Sequence, residues 1–141
     1  MTRYALRRAI AEDERSIAHL HKSAIGDDNV PSLAVGAWWI AETDAGAFAG
    51  FCGIHPSVQS WRAGYLIRAA VHPDHRGNGL QKRMIRARLS YARRAGWTRA
   101  VTYTLADNAP SANSLIACGF RVFVPRYEWA GSSVIYWLRT L

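Results

Sequence analysis

VHPDHRGNGLQ, residues 71–81, joins an apolar strand-like run to a helix-like one. Tyr65–His72 predicts a strand that stops at Pro73, and a helix is expected from about Gly79 to Ala95. Between them, Gly77 and Gly79 permit backbone angles and a close approach that a side chain forbids. Successive N–H groups there can face one anion, and a helix start adds about half a positive charge. Arg76 offers a forked donor to the same anion. Phosphate or pyrophosphate is the natural guest; the plain alternative is a Gly-rich turn with no ligand. The run is not a Walker loop, since no Gly-Lys-Ser/Thr follows, and it lacks the GxGxxG dinucleotide fingerprint.

Upstream, residues 3–10 predict a strand and then a break. A helix is expected from Glu12, with Ile17, Ala18, Leu20, Ala24 and Ile25 on its apolar stripe. Glu12, Asp13 and Glu14 sit at the positive end of its dipole. Asp27, Asp28 and Asn29 are turn formers, and Pro31 interrupts any regular pattern. Ala37–Glu42 and Ala47–Ile54 read as a hairpin about Ala45–Gly46, and Pro56–Gly64 as a polar connection. Downstream, Gly96 is a helix stop, Ala100–Leu105 a strand and Pro110–Cys118 a short helix ended by Gly119. Phe120–Pro125 and Val134–Leu138 are closing strands. This order predicts a mixed α/β fold around one sheet, with residues 1–141 as a single domain.

The composition fits one soluble domain: 141 residues, 50% apolar and 20% charged. Six Trp, six Tyr and four Phe either fill the core or line a pocket, and core filling is the simpler reading. No apolar run approaches the ~20 residues of a membrane span, and the N-terminus does not read as a signal peptide. Cys52 and Cys118 form neither a CxxC pair nor a metal spacing, so a reduced, cytoplasmic protein is expected. The net charge of +8 suits nucleic acid, a membrane surface or a small polyanion. Much of it lies on the helix Leu80–Gly96, which carries Lys82, Arg83, Arg86, Arg88, Arg93 and Arg94 and no acidic residue. Leu80, Met84, Ile85, Leu89 and Ala92 form its inward stripe, which leaves the cations mostly to solvent.

Arg76-Gly77-Asn78-Gly79-Leu80-Gln81 resembles the acetyl-CoA signature of the GNAT N-acetyltransferases, Arg/Gln-x-x-Gly-x-Gly/Ala, with Gln81 where a small residue is usual. Ala70–Asp74 resembles the strand and turn that introduce it. Asn108, Ser111 and Gly119-Phe120 resemble a second block of the same family at the expected distance. The resemblance implies a mixed, mostly antiparallel sheet, splayed between its fourth and fifth strands and flanked by helices. It also implies acetyl-CoA as acyl donor, with the pyrophosphate on the amides of Arg76, Gly77, Asn78, Gly79, Leu80 and Gln81. The pantetheine arm would pair like an added strand with Ala69, Ala70 and Val71. Asn108 would hold the arm's amides, Ser111 and Asn113 would face the cofactor, and the basic helix would meet its 3′-phosphate.

Acyl transfer to an amine needs a neutral amine, a polarised carbonyl and a proton for the leaving thiolate. The resemblance assigns polarisation to the main-chain N–H around Val71. The family's usual fourth-strand Glu has no counterpart in Tyr65–His72, and the usual Tyr falls on Leu115. Tyr103 as acid and Glu128 as base are the substitutes, with Glu42 and His55 behind them. His72 and His75 lack metal spacing, and no metal is expected. Ser111 and Ser114 have no paired base, which favours direct attack in a ternary complex over a covalent route. The expected acceptor is a small or peptidyl primary amine, with Trp38, Trp39, Trp61, Tyr127 and Trp129 as candidate pocket walls. Two rival readings are a CoA-binding module without catalysis and a basic nucleic-acid-associated protein. The closing strands could also pair across a homodimer.

Overall fold

The computed structural model describes residues 2–26, 29–30, 32–58 and 60–141, and for Trp61 the backbone alone. Among the described residues, seven strands form one mostly antiparallel sheet: β1 (Tyr4–Arg8), β2 (Ala37–Thr43), β3 (Phe48–Ser57), β4 (Ser60–Val71), β5 (Arg99–Leu105), β6 (Arg121–Val122) and β7 (Val134–Thr140). Their order is β1-β2-β3-β4-β5-β7-β6, and β4 and β5 run parallel. The helices are α1 (Glu14–Ala24), α2 (Leu80–Arg94) and α3 (Ala109–Ala117). This is the expected mixed α/β class. By its contacts the chain divides into two compact units, Met1–His55 with Ile67–Met84, and Pro56–Leu66 with Ile85–Leu141.

In the first unit, β1 lies antiparallel to β2 from Tyr4↔Thr43 to Arg8↔Trp39, and β2 to β3 from Ala37↔Ile54 onward. Ile17, Leu20, Trp38, Ile40, Phe51 and Ala70 form the core. Side chains alternate across a strand, so neighbours on β3 serve opposite faces. Phe51 packs with Ile17 and Leu20 of α1, whereas Cys52 Sγ reaches Met84 O of α2 at 4.0 Å. The two helices therefore cover opposite faces of this part of the sheet. On α1 the buried stripe is Ile17, Leu20 and His21, and the expected Ala18 and Ala24 are exposed. Spacings of three and four from Ile17 select those positions, and the His21 ring lies 6.3 Å from that of Phe51. Trp38 and Trp39 are only 2% and 7% exposed, which makes them core rather than pocket walls. Asp27, Asp28 and Pro31 lie outside the described residues.

In the second unit, β4 pairs with β5 from Ala63↔Arg99 to Tyr65↔Val101, and Thr102 Oγ1 donates to Leu66 O at 2.9 Å. The β5–β7 ladder is longer, from Arg99↔Thr140 to Leu105↔Val134, and β6 adds Arg121↔Leu138 and Val122↔Trp137. Residues 56–64, expected as a connection, are largely strand: β3 runs to Ser57 and β4 begins at Ser60. Ser, Arg and Gly hide the alternation there, yet Ala63 and Leu66 are buried while Arg62 is exposed. The expected strand 120–125 shrinks to Arg121–Val122, since Phe120 N donates to Leu115 O and Pro125 has no N–H to give. Arg88, expected at the surface, is 3% exposed. It stands one turn after Met84 and one before Ala92, inside the apolar stripe.

Both cysteines are buried, and neither is in a disulfide. No helix among the described residues is long and apolar enough to cross a membrane.

Candidate functional site

The loop expected to hold an anion, residues 71–81, lies wholly in the first unit. Its entry is β4, whose pairing with β3 ends as His72 N donates to Ala49 O at 2.8 Å. In an antiparallel pair the residues alternate in turning their N–H and C=O to the neighbour. His72 and Ala70 therefore address β3, while Ala69 and Val71 direct theirs to the other side. Pro73–His75 follow as one 3-10 turn, capped by His72 Nδ1, which accepts from Asp74 N at 3.1 Å. Arg76 then extends, and its Nε donates to Val71 O at 3.3 Å. Part of the expected fork is thus spent on the chain, and the residue itself is exposed.

Gly77 and Gly79 have φ of +79° and +73°, the left-handed region that a side chain disfavours. A Cβ on either would meet nothing within 4 Å, so the loop borders open space. α2 begins at Leu80, and Arg83 N makes a bond of 3.2 Å to Gly79 O. The amides of Leu80 and Gln81 precede that rung and have no partner within the helix. Residues 76–79 are exposed, Gln81 is half-buried, and Leu80, 2% exposed, anchors the helix start in the core. A strand end, two left-handed glycines and a helix start thus leave amides and Arg76 beside open space, an arrangement that binds anions.

Sequence reasoning missed two features of this unit. Tyr4, at the head of β1, reaches the loop: Asn78 Nδ2 donates to its hydroxyl at 3.2 Å, and that hydroxyl lies 3.0 Å from His75 Nδ1. No local signal marks a contact across 71 residues. The second is a cavity of about 400 Å³ lined by Arg15, His19, Ser23, Phe48, His72 and Pro73. Residues 15, 19 and 23 share one helical face, which fitted a solvated surface equally well. Glu42, a reserve base, is engaged by Arg7 Nε at 3.2 Å.

The second unit holds the other expected residues. Asn108 caps α3, its Oδ1 accepting from Ser111 N at 3.3 Å, which leaves its Nδ2 for other use. Ser111 is half-buried and Asn113 exposed. Leu115, at the usual Tyr register, is buried. Tyr103 is half-buried on β5 opposite Tyr136, and Glu128 is exposed in the segment before β7. Trp129 packs against Tyr65 and Tyr136, with ring centroids at 5.8 and 4.6 Å, while Tyr127 is exposed. The Tyr136 hydroxyl accepts from Ala130 N at 2.9 Å and donates to Gly131 O at 2.7 Å, fixing that segment. The Trp61 side chain lies outside the described residues. Among them, no three His, Cys, Asp or Glu side chains group to hold a metal ion.

The sequence model of the acetyltransferase (GNAT) family matches residues 4–120. No curated protein sequence matches. Among solved structures, a GNAT superfamily phosphinothricin acetyltransferase from Sinorhizobium meliloti in complex with AcCoA superposes with a TM-score of 0.80 at 18% identity, covering 98% of this chain and 88% of that one. The ribosomal-protein-S18-alanine N-acetyltransferase from Escherichia coli gives 0.79 at 14%, covering 98% and 94%. A nourseothricin acetyltransferase gives 0.73 at 19%, covering 97% and 98%. At these identities the likeness is one of fold.

Proposed function

The chain belongs to the GNAT family of acetyltransferases, and from that premise we propose that it transfers acetyl from acetyl-CoA to a primary amine by direct attack in a ternary complex. The observation that carries the reading is the loop 76–81, where two left-handed glycines lead into the partnerless amides of a helix start. That loop fits a pyrophosphate in charge and in space, and Arg76 adds a cation at its rim.

The backbone of β4 fits the arm of the same cofactor. Ala69 offers an N–H and a C=O on the side away from β3, and Val71 offers its N–H. The Val71 carbonyl is held by Arg76, and Ala70 contributes surface rather than hydrogen bonds on that side. Main-chain pairing of this kind reads an extended amide-bearing arm. The Val71 N–H polarises the thioester carbonyl, a donor that no side-chain substitution removes. Asn108, Ser111 and Asn113 serve the cofactor on the strength of the family resemblance alone. Tyr103 donates the proton to the departing thiolate sulfur and Glu128 relieves the attacking amine of its proton. In balance, a C–N bond forms, the C–S bond breaks, and one proton moves from nitrogen to sulfur. Residues 1–141 act as one catalytic domain in this reading.

The test is thiol release from acetyl-CoA with a panel of small and peptidyl primary amines. Release that depends on the amine, with intersecting lines in double-reciprocal plots, is the expected result. Parallel lines would overturn direct attack. Tight acetyl-CoA binding without turnover on any amine would identify a binding module instead.

A further inference from the structure

We infer that Tyr4 is a positioning residue that presets the loop 76–79 for the pyrophosphate; the inference rests on the acetyl-CoA reading above. Five polar contacts support it. The Asn78 amide donates to the Tyr4 hydroxyl at 3.2 Å, and its Nδ2 is also within reach of His75 O at 2.9 Å and Arg76 O at 3.2 Å. The same hydroxyl lies 3.0 Å from His75 Nδ1, within hydrogen-bond reach. The two rings meet edge to face with centroids 5.6 Å apart. From α2, Arg83 Nη1 donates to Tyr4 O at 3.0 Å.

The loop needs such a brace because of what makes it useful. Glycines at positions 77 and 79 allow the amides to converge, but they also give the unbound loop many other conformations. Ordering a loop at the moment of binding subtracts from affinity, and ordering it beforehand removes that loss. Asn78, between the glycines, holds the turn through its side chain. Its amide also draws the carbonyls of His75 and Arg76 to itself, so those negative ends are turned to the amide rather than left to an incoming anion. Tyr4 completes the arrangement by accepting the remaining N–H. A phenylalanine would keep the ring contact and lose both hydroxyl bonds.

The experiment compares Tyr4→Phe with wild type on two donors, acetyl-CoA and S-acetylpantetheine, which lacks the pyrophosphate. Losing the brace is expected to raise the CoA dissociation constant and the acetyl-CoA KM roughly three- to tenfold at unchanged kcat. kcat/KM for S-acetylpantetheine should not move, whereas a general loosening of the fold would lower it in parallel and overturn the assignment. Asn78→Ala should show the same split, and adding Tyr4→Phe to it should cost little more, since the hydroxyl acts through Asn78. Equal acetyl-CoA affinity in wild type and Tyr4→Phe overturns the brace alone. Wild type that binds no acetyl-CoA overturns the reading beneath it, and the brace with it.

Discussion

Arg7 on β1 grips Asp13 through both of its terminal nitrogens, Nη1 to Oδ2 and Nη2 to Oδ1, each at 2.8 Å. The same carboxylate accepts from Ile10 N at 2.7 Å, which ties the end of β1 to the start of α1. The Arg7 hydrogen bonds, opposed by burial and helped by Ile10 N, hold the Asp13 carboxyl below its usual range. A depressed pKa stabilises the fold above the unfolded-state value and loses that contribution as pH falls through the folded-state value. Arg7 is 37% exposed, so solvent screening limits the pair to about 1 kcal/mol. Asp13→Asn is therefore expected to lower the melting temperature near neutral pH. The gap to wild type should begin to narrow below about pH 4, the ordinary carboxylate value, and close only as pH falls through the lower folded-state value, where wild type loses the charge as well. Thermal melts at several pH values check this; a gap that persists in acid would point to shape rather than charge.

Gly79→Val tests the anion loop. The φ of +73° makes any branched side chain costly, by about 1–2 kcal/mol, although no neighbour stands within 4 Å of its Cβ. That open space is where the pyrophosphate would lie. The variant should fold with a modest loss in melting temperature and bind CoA at least roughly tenfold more weakly by calorimetry. Unchanged affinity would remove the loop from the cofactor site.

The strand–turn–helix geometry of residues 71–81 was legible in sequence because its determinants are local. Pro73, the two glycines and the apolar stripe of α2 each act within a few residues. Leu115 was also legible as a departure, since its register is counted from Gly119-Phe120. What stayed hidden depends on distant partners. Tyr4 belongs to the loop through a bond that spans most of the first unit, and Arg88 looked like one more surface cation until the helix was oriented. Residues 56–64 read as a connection because Ser and Gly carry weak strand preference, and their strand state follows from pairing with neighbours. Trp38 and Trp39 were candidate walls for the opposite reason. Aromatic rings signal burial, and nothing local distinguishes a core from a pocket.

Removing the phenol in Tyr103→Phe should lower kcat roughly a hundredfold and leave the acetyl-CoA KM in place, since a proton donor acts in the transition state. Glu128→Gln should lower kcat/KM roughly a hundredfold, since a base that takes the amine proton acts in the transition state. Tyr103 is half-buried and Glu128 exposed, so both variants should melt close to wild type. A Tyr103→Phe enzyme of normal kcat would hand the proton to water or to another donor.

Gly50 on β3 shows how closely the strand beneath the site is packed. A Cβ at this position would lie 2.6 Å from Ala70 O and 3.4 Å from Val71 Cα. Both are backbone atoms, so neither can swing aside as a flexible side chain would. Gly50→Ala must push the end of β4 away from β3, at about 1–3 kcal/mol. The shift falls on Ala69 and Val71, whose outward groups the pantetheine arm is proposed to use. A lower melting temperature and weaker binding of S-acetylpantetheine are expected together, because that donor depends on β4 and carries no pyrophosphate. Gly79→Val should show the converse, losing CoA and sparing S-acetylpantetheine. If Gly50→Ala instead spared S-acetylpantetheine while melting early, β4 would be a structural strand without a part in holding the donor.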